Sequence, residues 1–172
     1  MRKIVKKIAN AKSPSEVWLA GIRNYVMSVF RCASDSIHGP RHWQRVEAFG
    51  LRLAESTGAD QTVVRLFALL HDSCRLNDGD DIFHGPRAAE MLERIVPSVF
   101  ALDRDRLELL KQAVRYHTSG QTSPDPTIGT CWDADRLDIG RAGITPCAHY
   151  MSTDAGKGIA ALDDSPFLNA IK

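Results

Sequence analysis

Three observations predict an all-α fold, a compact single-domain bundle of about six helices. Apolar residues recur at spacings of three and four through most of the chain. No segment sustains the two-residue alternation of a half-buried strand. Helix-starting and helix-stopping residues fall at the edges of the periodic stretches.

The elements follow in order. Ser13-Pro14-Ser15-Glu16 is a capping box with proline at the first helical position, and predicts a helix to about Cys32. Residues 34–40 are small and turn-forming. A second helix is expected from about Arg41 to Thr57, with Gly58 placed to end it. Asp60 can cap a third, which carries VVRLFALL up to His71-Asp72. After the acidic loop 77–81, a fourth helix is expected from about His84 to Val96, stopped by Pro97. Asp103 can cap a fifth that ends near His117. The stretch TSGQTSPDPTIGT is dense in Gly, Pro, Ser and Thr and reads as a loop. A sixth helix is expected from near Thr130, carrying CWDADRLDIG. Beyond Gly143 the pattern weakens, and the last twenty residues read as a short helix or a loose tail. HGPR occurs at 38–41 and again at 84–87, but at different places in the helix pattern, so the echo is local.

Composition narrows the function classes. A chain of 172 residues with 44% hydrophobic and 25% charged residues is ordinary for one globular domain. The net charge of +1 calls for neither a nucleic-acid nor an anionic-membrane partner. The basic start, MRKIVKKIANAK, has no apolar run of the secretory kind, and no stretch of about 18 apolar residues predicts a membrane span. Cys32, Cys74, Cys131 and Cys147 form no CxxC pair, which suits a reduced, cytoplasmic setting.

The histidines carry the chemistry. His42, Val46, Phe49 and Leu53 share one helical face, and Val63, Phe67 and His71 share another. His84, Ala88, Met91 and Ile95 form a third stripe, and Leu107, Leu110, Val114 and His117 a fourth. Each stripe is apolar and carries its histidine near one end. Burying an imidazole without partners costs on the order of 1–3 kcal/mol. Four separate burials would be expensive, whereas one shared divalent cation removes the cost. Asp72 and Asp135 supply carboxylates for the same centre. Mixed imidazole and carboxylate ligands suit Mn, Fe, Ni, Co or Zn better than Ca. The competing reading is a polar core network without metal.

These residues, in this order, resemble the HD superfamily of metal-dependent phosphohydrolases, an all-helical family marked by a His, a His-Asp pair and a distant Asp. The resemblance covers about residues 36–142. It implies metal ligation by His42 within HGPRHWQRV, by His71 and Asp72 within ALLHDSCR, and by Asp135 within DADRLD. Some branches hold a second ion on two intervening histidines, which here would be His84 and His117, with Asp72 bridging. Hydrogen bonding to the metal ligands or contact with substrate is the alternative for that pair, so one ion or two stay open. The cyclic-dinucleotide branch carries a doubled His followed by Gly-Tyr-Pro. The corresponding YHTSGQ lacks both, which gives that substrate no support.

The division expected is an N-terminal helical segment at 1–33 packing on the core, a metal-binding helical domain at 34–150 and a C-terminal tail at 151–172. The reaction expected is hydrolysis of a phosphate ester, a nucleotide or another phosphomonoester, by metal-activated water. Asp72 and Arg75 are its catalytic candidates. Arg75 lies one turn after His71 and suits a phosphate, or it pairs on the surface with Asp78 or Asp80. His38 is a candidate for substrate binding or proton transfer, or else a loop residue. Arg41 and Arg45 flank His42 as weaker candidates. Arg136 reads as a structural salt bridge, Trp43 and Trp132 as core, Cys74 and Cys131 as small core residues, and His149 as unrelated. Two alternatives stay open: a di-iron oxygenase on the same six ligands, and a metal-stabilised regulatory module without turnover.

Overall fold

A computed structural model of the protein describes residues 16–162; the basic start and the predicted capping box at 13–16 lie outside the residues whose side chains it describes. Seven α-helices and no strand occur among the described residues: α1 (Glu16–Val29), α2 (Pro40–Thr57), α3 (Gln61–Leu70), α4 (His84–Ile95), α5 (Arg104–Tyr116), α6 (Pro126–Leu137) and α7 (Asp154–Ala160). Two short 3-10 turns, Asp138–Ala142 and Ala148–Tyr150, join α6 to α7. The all-α bundle is the one the sequence predicts.

The helix ends follow local chemistry. The Asp60 carboxylate accepts from the backbone N–H groups of Thr62 and Val63, and Asp103 accepts from that of Arg106. Such caps stabilise a helix by about 1 kcal/mol each. Gly58 closes α2 in the left-handed conformation, φ 71°, that glycine adopts without steric cost. One start differs from expectation. The sixth helix begins at Pro126, not near Thr130, because Asp125 accepts from Thr127 and Ile128 N–H while Pro126 occupies the first turn. The Pro-rich composition that suggested a loop is in part a helix start. Residues 151–162, where a short helix or a loose tail is expected, contain the short helix α7 and the buried Met151.

α3 is the axis of the bundle. Thr62 to Val64 and Leu66 to Leu70 are all buried, so this helix is covered on nearly every side. Its Arg65 reaches Glu47 of α2 at 2.6 Å. α2 and α6 pack on α3 and on each other, α4 pairs with α5, and α5 returns to α3 and α6. α1 lays Leu19, Ile22 and Val26 on this core. Asp133 of α6 anchors the chain before α7, accepting from Ser152 N–H at 2.6 Å, Thr153 N–H at 2.8 Å and Thr153 Oγ1 at 2.7 Å.

Gly85 sets how closely α4 approaches α5. A Cβ at this position would lie 2.7 Å from the Val114 carbonyl oxygen and 2.9 Å from that of Arg115. Both are backbone atoms, so the helices must part to admit a methyl group. Gly85→Ala is expected to destabilise the protein by roughly 1–3 kcal/mol in urea unfolding. Gly21→Ala, on the exposed face of α1 with nothing within 4 Å of the new methyl, is expected to be neutral or stabilising by up to about 1 kcal/mol.

Candidate metal centre

Five helix ends meet around one buried space. His42 enters from the first turn of α2, and His71 and Asp72 stand just past the last residue of α3. His84 opens α4 and His117 follows α5. Asp135 comes from the last turn of α6. All four histidines and Asp72 are buried. The structure brings together all six residues singled out in the sequence.

Asp72 sits between two imidazole pairs. Its Oδ2 lies 3.6 Å from His42 Nε2 and 3.5 Å from His71 Nε2. Its Oδ1 lies 3.0 Å from His84 Nε2 and 3.7 Å from His117 Nε2. Asp135 Oδ1 completes the first group, 3.2 Å from His42 Nε2 and 3.8 Å from His71 Nε2. Two triads therefore have the spacing of a cation site, His42–His71–Asp135 and His71–Asp72–His117.

The hydrogen bonds decide the tautomers. His71 Nδ1 donates to the Phe67 carbonyl at 3.1 Å, His117 Nδ1 to the Val114 carbonyl at 2.7 Å, and His84 Nδ1 to the Asp81 carbonyl. His42 Nδ1 donates to Asp138 Oδ2 at 2.7 Å. Every one of these partners only accepts, so each Nδ1 carries a proton and Nε2 is the nitrogen each ring turns inward. His42 Nε2 then faces His71 Nε2 at 3.0 Å, and His84 Nε2 faces His117 Nε2 at 2.8 Å. Two lone pairs at such distances repel unless a proton or a cation lies between them. Asp135 Oδ1 is buried and has no hydrogen-bond partner. Unpaired imidazole nitrogens and an orphaned carboxylate oxygen, all turned toward one space, are a donor set that fits a divalent transition metal.

Ionisation agrees with that arrangement. Burial pushes the His71 pKa down to about 3, against the pull of Asp72 and Asp135, so the ring is neutral. Burial also acts on His42, but Asp135 and Asp138 outweigh it and raise its pKa. Burial works against the charge on Asp72, yet the surrounding imidazoles, His71 foremost, hold its pKa well below the usual carboxylate value. Asp135 is likewise held down, by His42, His71 and Arg141 against the cost of burial.

The other candidates fall into place around this space. Arg75 is buried and donates through Nε to Asp72 Oδ1 at 2.9 Å, while its Nη1 reaches the Gly79 carbonyl at 3.1 Å. Its carboxylate partner is thus Asp72, not Asp78 or Asp80; Asp78 takes the hydroxyl of Ser36. His38 donates from Nδ1 to Asp72 Oδ2 at 2.8 Å. Trp43 and Trp132 are core residues, their indole N–H groups bonded to the carbonyls of His38 and Ala113. Cys131 is buried and Cys74 half-buried beside Met91. His149 lies in a 3-10 turn against Tyr150. Arg136, expected in a salt bridge, instead donates to the carbonyls of Tyr150 and Gln121, because the chain returns over α6 and leaves those oxygens beside it.

Three residues of the site escaped the sequence reading in their actual roles. Asp138 orients His42, and Arg45 grips Asp138 at 2.6 Å. Arg141 Nη2 approaches Asp135 Oδ1 at 3.5 Å while its other nitrogens bond the Ile37 and Asp138 carbonyls. Asp138 stands three residues after Asp135, and Arg45 three after His42, so helical spacing was the available signal for both. Arg141 carried none.

Fold and site together define a helical bundle with a His/Asp centre, and the comparisons say which. The HD domain family matches residues 41–140, and the chain belongs to that family. A curated relative, the symmetrical bis(5'-nucleosyl)-tetraphosphatase of Staphylococcus aureus (strain NCTC 8325 / PS 47), is 26% identical over 120 residues. The match spans 58% of this chain and 58% of that protein. Among solved structures, a predicted HD superfamily hydrolase from an uncultured Thermotogales bacterium is 27% identical, with a TM-score of 0.64 over 83% of this chain and 82% of that one. A Lactobacillus plantarum protein, 20% identical, shares the fold with a TM-score of 0.60 over 91% and 93% of the two chains.

A pH dependence follows for the protein stripped of metal by a chelator. A histidine held neutral in the fold binds fewer protons than in the unfolded chain. The stability His71 contributes is therefore fully present above its unfolded pKa of about 6.5 and is lost as pH falls toward about 3. His42, with its raised pKa, contributes in the opposite sense: its share is present at low pH and is lost as pH rises through the folded value. Urea unfolding between pH 7 and pH 4 should show a shallower loss of stability in His71→Asn than in the parent; equal slopes would mean that His71 titrates normally.

Proposed function

We propose that the protein is a metal-dependent phosphohydrolase that cleaves a nucleotide or related phosphate ester with water. The observation that carries this reading is the pair of inward-facing Nε2 groups flanking Asp72, with the orphaned Asp135 Oδ1 beside them. The name of the staphylococcal relative supports a nucleoside polyphosphate as the first substrate class to test.

His42, His71, Asp72 and Asp135 would hold the first cation, and His84 and His117, sharing Asp72, a second. A divalent metal there supplies Lewis acidity: it brings the pKa of water from about 16 toward about 7 and offsets charge on phosphoryl oxygens. The remaining work falls to the chain. In hydrolysis the water oxygen bonds to phosphorus, the P–O bond to the leaving group breaks, and the leaving oxygen takes up a proton. His38, buried and bonded to Asp72 through Nδ1, is the side chain we assign to accept a proton and pass it on. Arg75, donating to Oδ1 at 2.9 Å, holds the Asp72 carboxylate in position. Arg141, 3.5 Å from Asp135, would be the guanidinium to offset charge on a phosphoryl oxygen.

The test loads the purified chain with Mn, Fe, Ni, Co or Zn and offers dinucleoside polyphosphates, nucleoside triphosphates and phosphomonoesters. Release of phosphate or nucleotide is expected, and Asp72→Ala should lower kcat/KM by at least about 100-fold. Bound metal with no ester cleaved would favour a regulatory module. Oxygen uptake by the iron-loaded protein would favour the oxygenase alternative.

A further inference from the structure

The four imidazoles of the centre are alike at Nε2 and differ at Nδ1. Three of them donate to backbone carbonyls, those of Phe67, Asp81 and Val114. His42 alone donates to a carboxylate. That carboxylate is itself fixed: Arg45 Nε meets Asp138 Oδ1 at 2.6 Å, and Arg45 Nη2 meets Oδ2 at 3.0 Å. Two parallel donors on one carboxylate set its plane as well as its position. A charged acceptor on Nδ1 locks the tautomer and raises the basicity of Nε2, which strengthens the ring as a ligand.

The two halves of the centre differ in their carboxylates too. On the His42–His71 side stand two carboxylate oxygens, Asp72 Oδ2, which also accepts from His38 Nδ1 at 2.8 Å, and Asp135 Oδ1, which has no hydrogen bond and lies 3.5 Å from Arg141 Nη2. On the His84–His117 side stands Asp72 Oδ1, which Arg75 Nε already occupies at 2.9 Å. A cation on that side must share its oxygen with a guanidinium.

We propose that the two halves load unequally: Asp138, clamped by Arg45, is a positioning residue that makes His42, His71 and Asp135 the tight cation site, and the His84–His117 half fills only at higher metal concentration. The proposal rests on the reading of the centre as a metal site. Binding in sequence follows from the difference in ligands and needs no conformational change. The occupancy of the weaker half then tracks available metal.

The experiment titrates the full chain, stripped of metal, with Mn2+ and reads free ion by electron paramagnetic resonance. Two classes of site are expected, with dissociation constants at least about 10-fold apart. Asp138→Asn should weaken the tight class by about 10–100-fold and leave the weak class in place. Arg45→Gln should act in the same direction, and it alone decides the matter if the Asp138 variant fails to fold. His84→Ala should remove the weak class only. Long-range 1H–15N correlation spectra of the metal-free protein should show His42 protonated at Nδ1, and a mixture of tautomers in Arg45→Gln or Asp138→Asn. A purely structural role for Asp138 would lower both classes together. That result, or two equal classes in the parent, or a tight class untouched by these substitutions, overturns the proposal. No Mn2+ bound by the parent, or Asp72→Ala binding as the parent does, overturns the metal reading itself and this inference with it.

Discussion

Asp72 is the constraint on which the arrangement turns. It is a carboxylate 1% exposed at the end of a helix that is apolar on nearly every side. Charge in such a place costs several kcal/mol after all relaxation unless donors surround it. The surroundings supply Arg75 on one oxygen and His38 on the other, while an imidazole pair stands beside each without donating. Those partners come from the loop before α2 and from both sides of the α3 axis. The helices must therefore converge on the C-terminal end of α3 for the core to close at all. The same packing that buries Phe67, Leu70, Leu110 and Val114 delivers the histidines.

Placement at helix ends explains why the ring nitrogens point as they do. The last turn of a helix leaves carbonyls without intrahelical donors. His71 and His117 stand at such ends: His117 gives its Nδ1 proton to Val114, three residues earlier, and His71 Nδ1 shares the Phe67 carbonyl with its own backbone N–H, four residues earlier. Backbone geometry thus fixes the tautomer and leaves Nε2 inward, with no dedicated side chain required. His42 is at the other kind of end, the first turn of α2, where the unspent groups are N–H donors. His84, at the start of α4, reaches a loop carbonyl, that of Asp81, whereas His42 gives its Nδ1 proton to Asp138.

That difference also marks how far the sequence can be read. Four histidines at the ends of apolar stripes were visible from spacing alone, because burial imposes the helical period. Their convergence follows from the order His, His-Asp, Asp along antiparallel helices, which the family resemblance supplies. The start of α6 was hidden because Asp125-Pro126 looks the same in a turn and at an N-cap; only the packing of Ile128 and Cys131 on the core decides between them. Arg75 was left open between a phosphate in the site and surface pairing with Asp78 or Asp80, since spacing alone does not say which way the side chain turns. Burial settles it, as the guanidinium turns toward the enclosed carboxylate. Arg141 lay beyond reach, because it acts after the chain leaves α6 through a 3-10 turn and the helical period no longer applies.

The charges show what state the fold prepares. Each of the three inner carboxylates has an arginine: Arg75 with Asp72 at 2.9 Å, Arg141 with Asp135 at 3.5 Å, and Arg45 with Asp138 at 2.6 Å. Negative charge in the centre is therefore largely balanced before any cation arrives. A domain that folds only around its metal leaves its ligands unstructured without it. Here the ligands are held by an apolar core and by these pairs, so the centre is preformed. What stays uncompensated is local: two facing sets of lone pairs and one bare oxygen on Asp135. A cation relieves that residue of repulsion without having to assemble the fold, and its binding energy goes to the site instead of to the bundle.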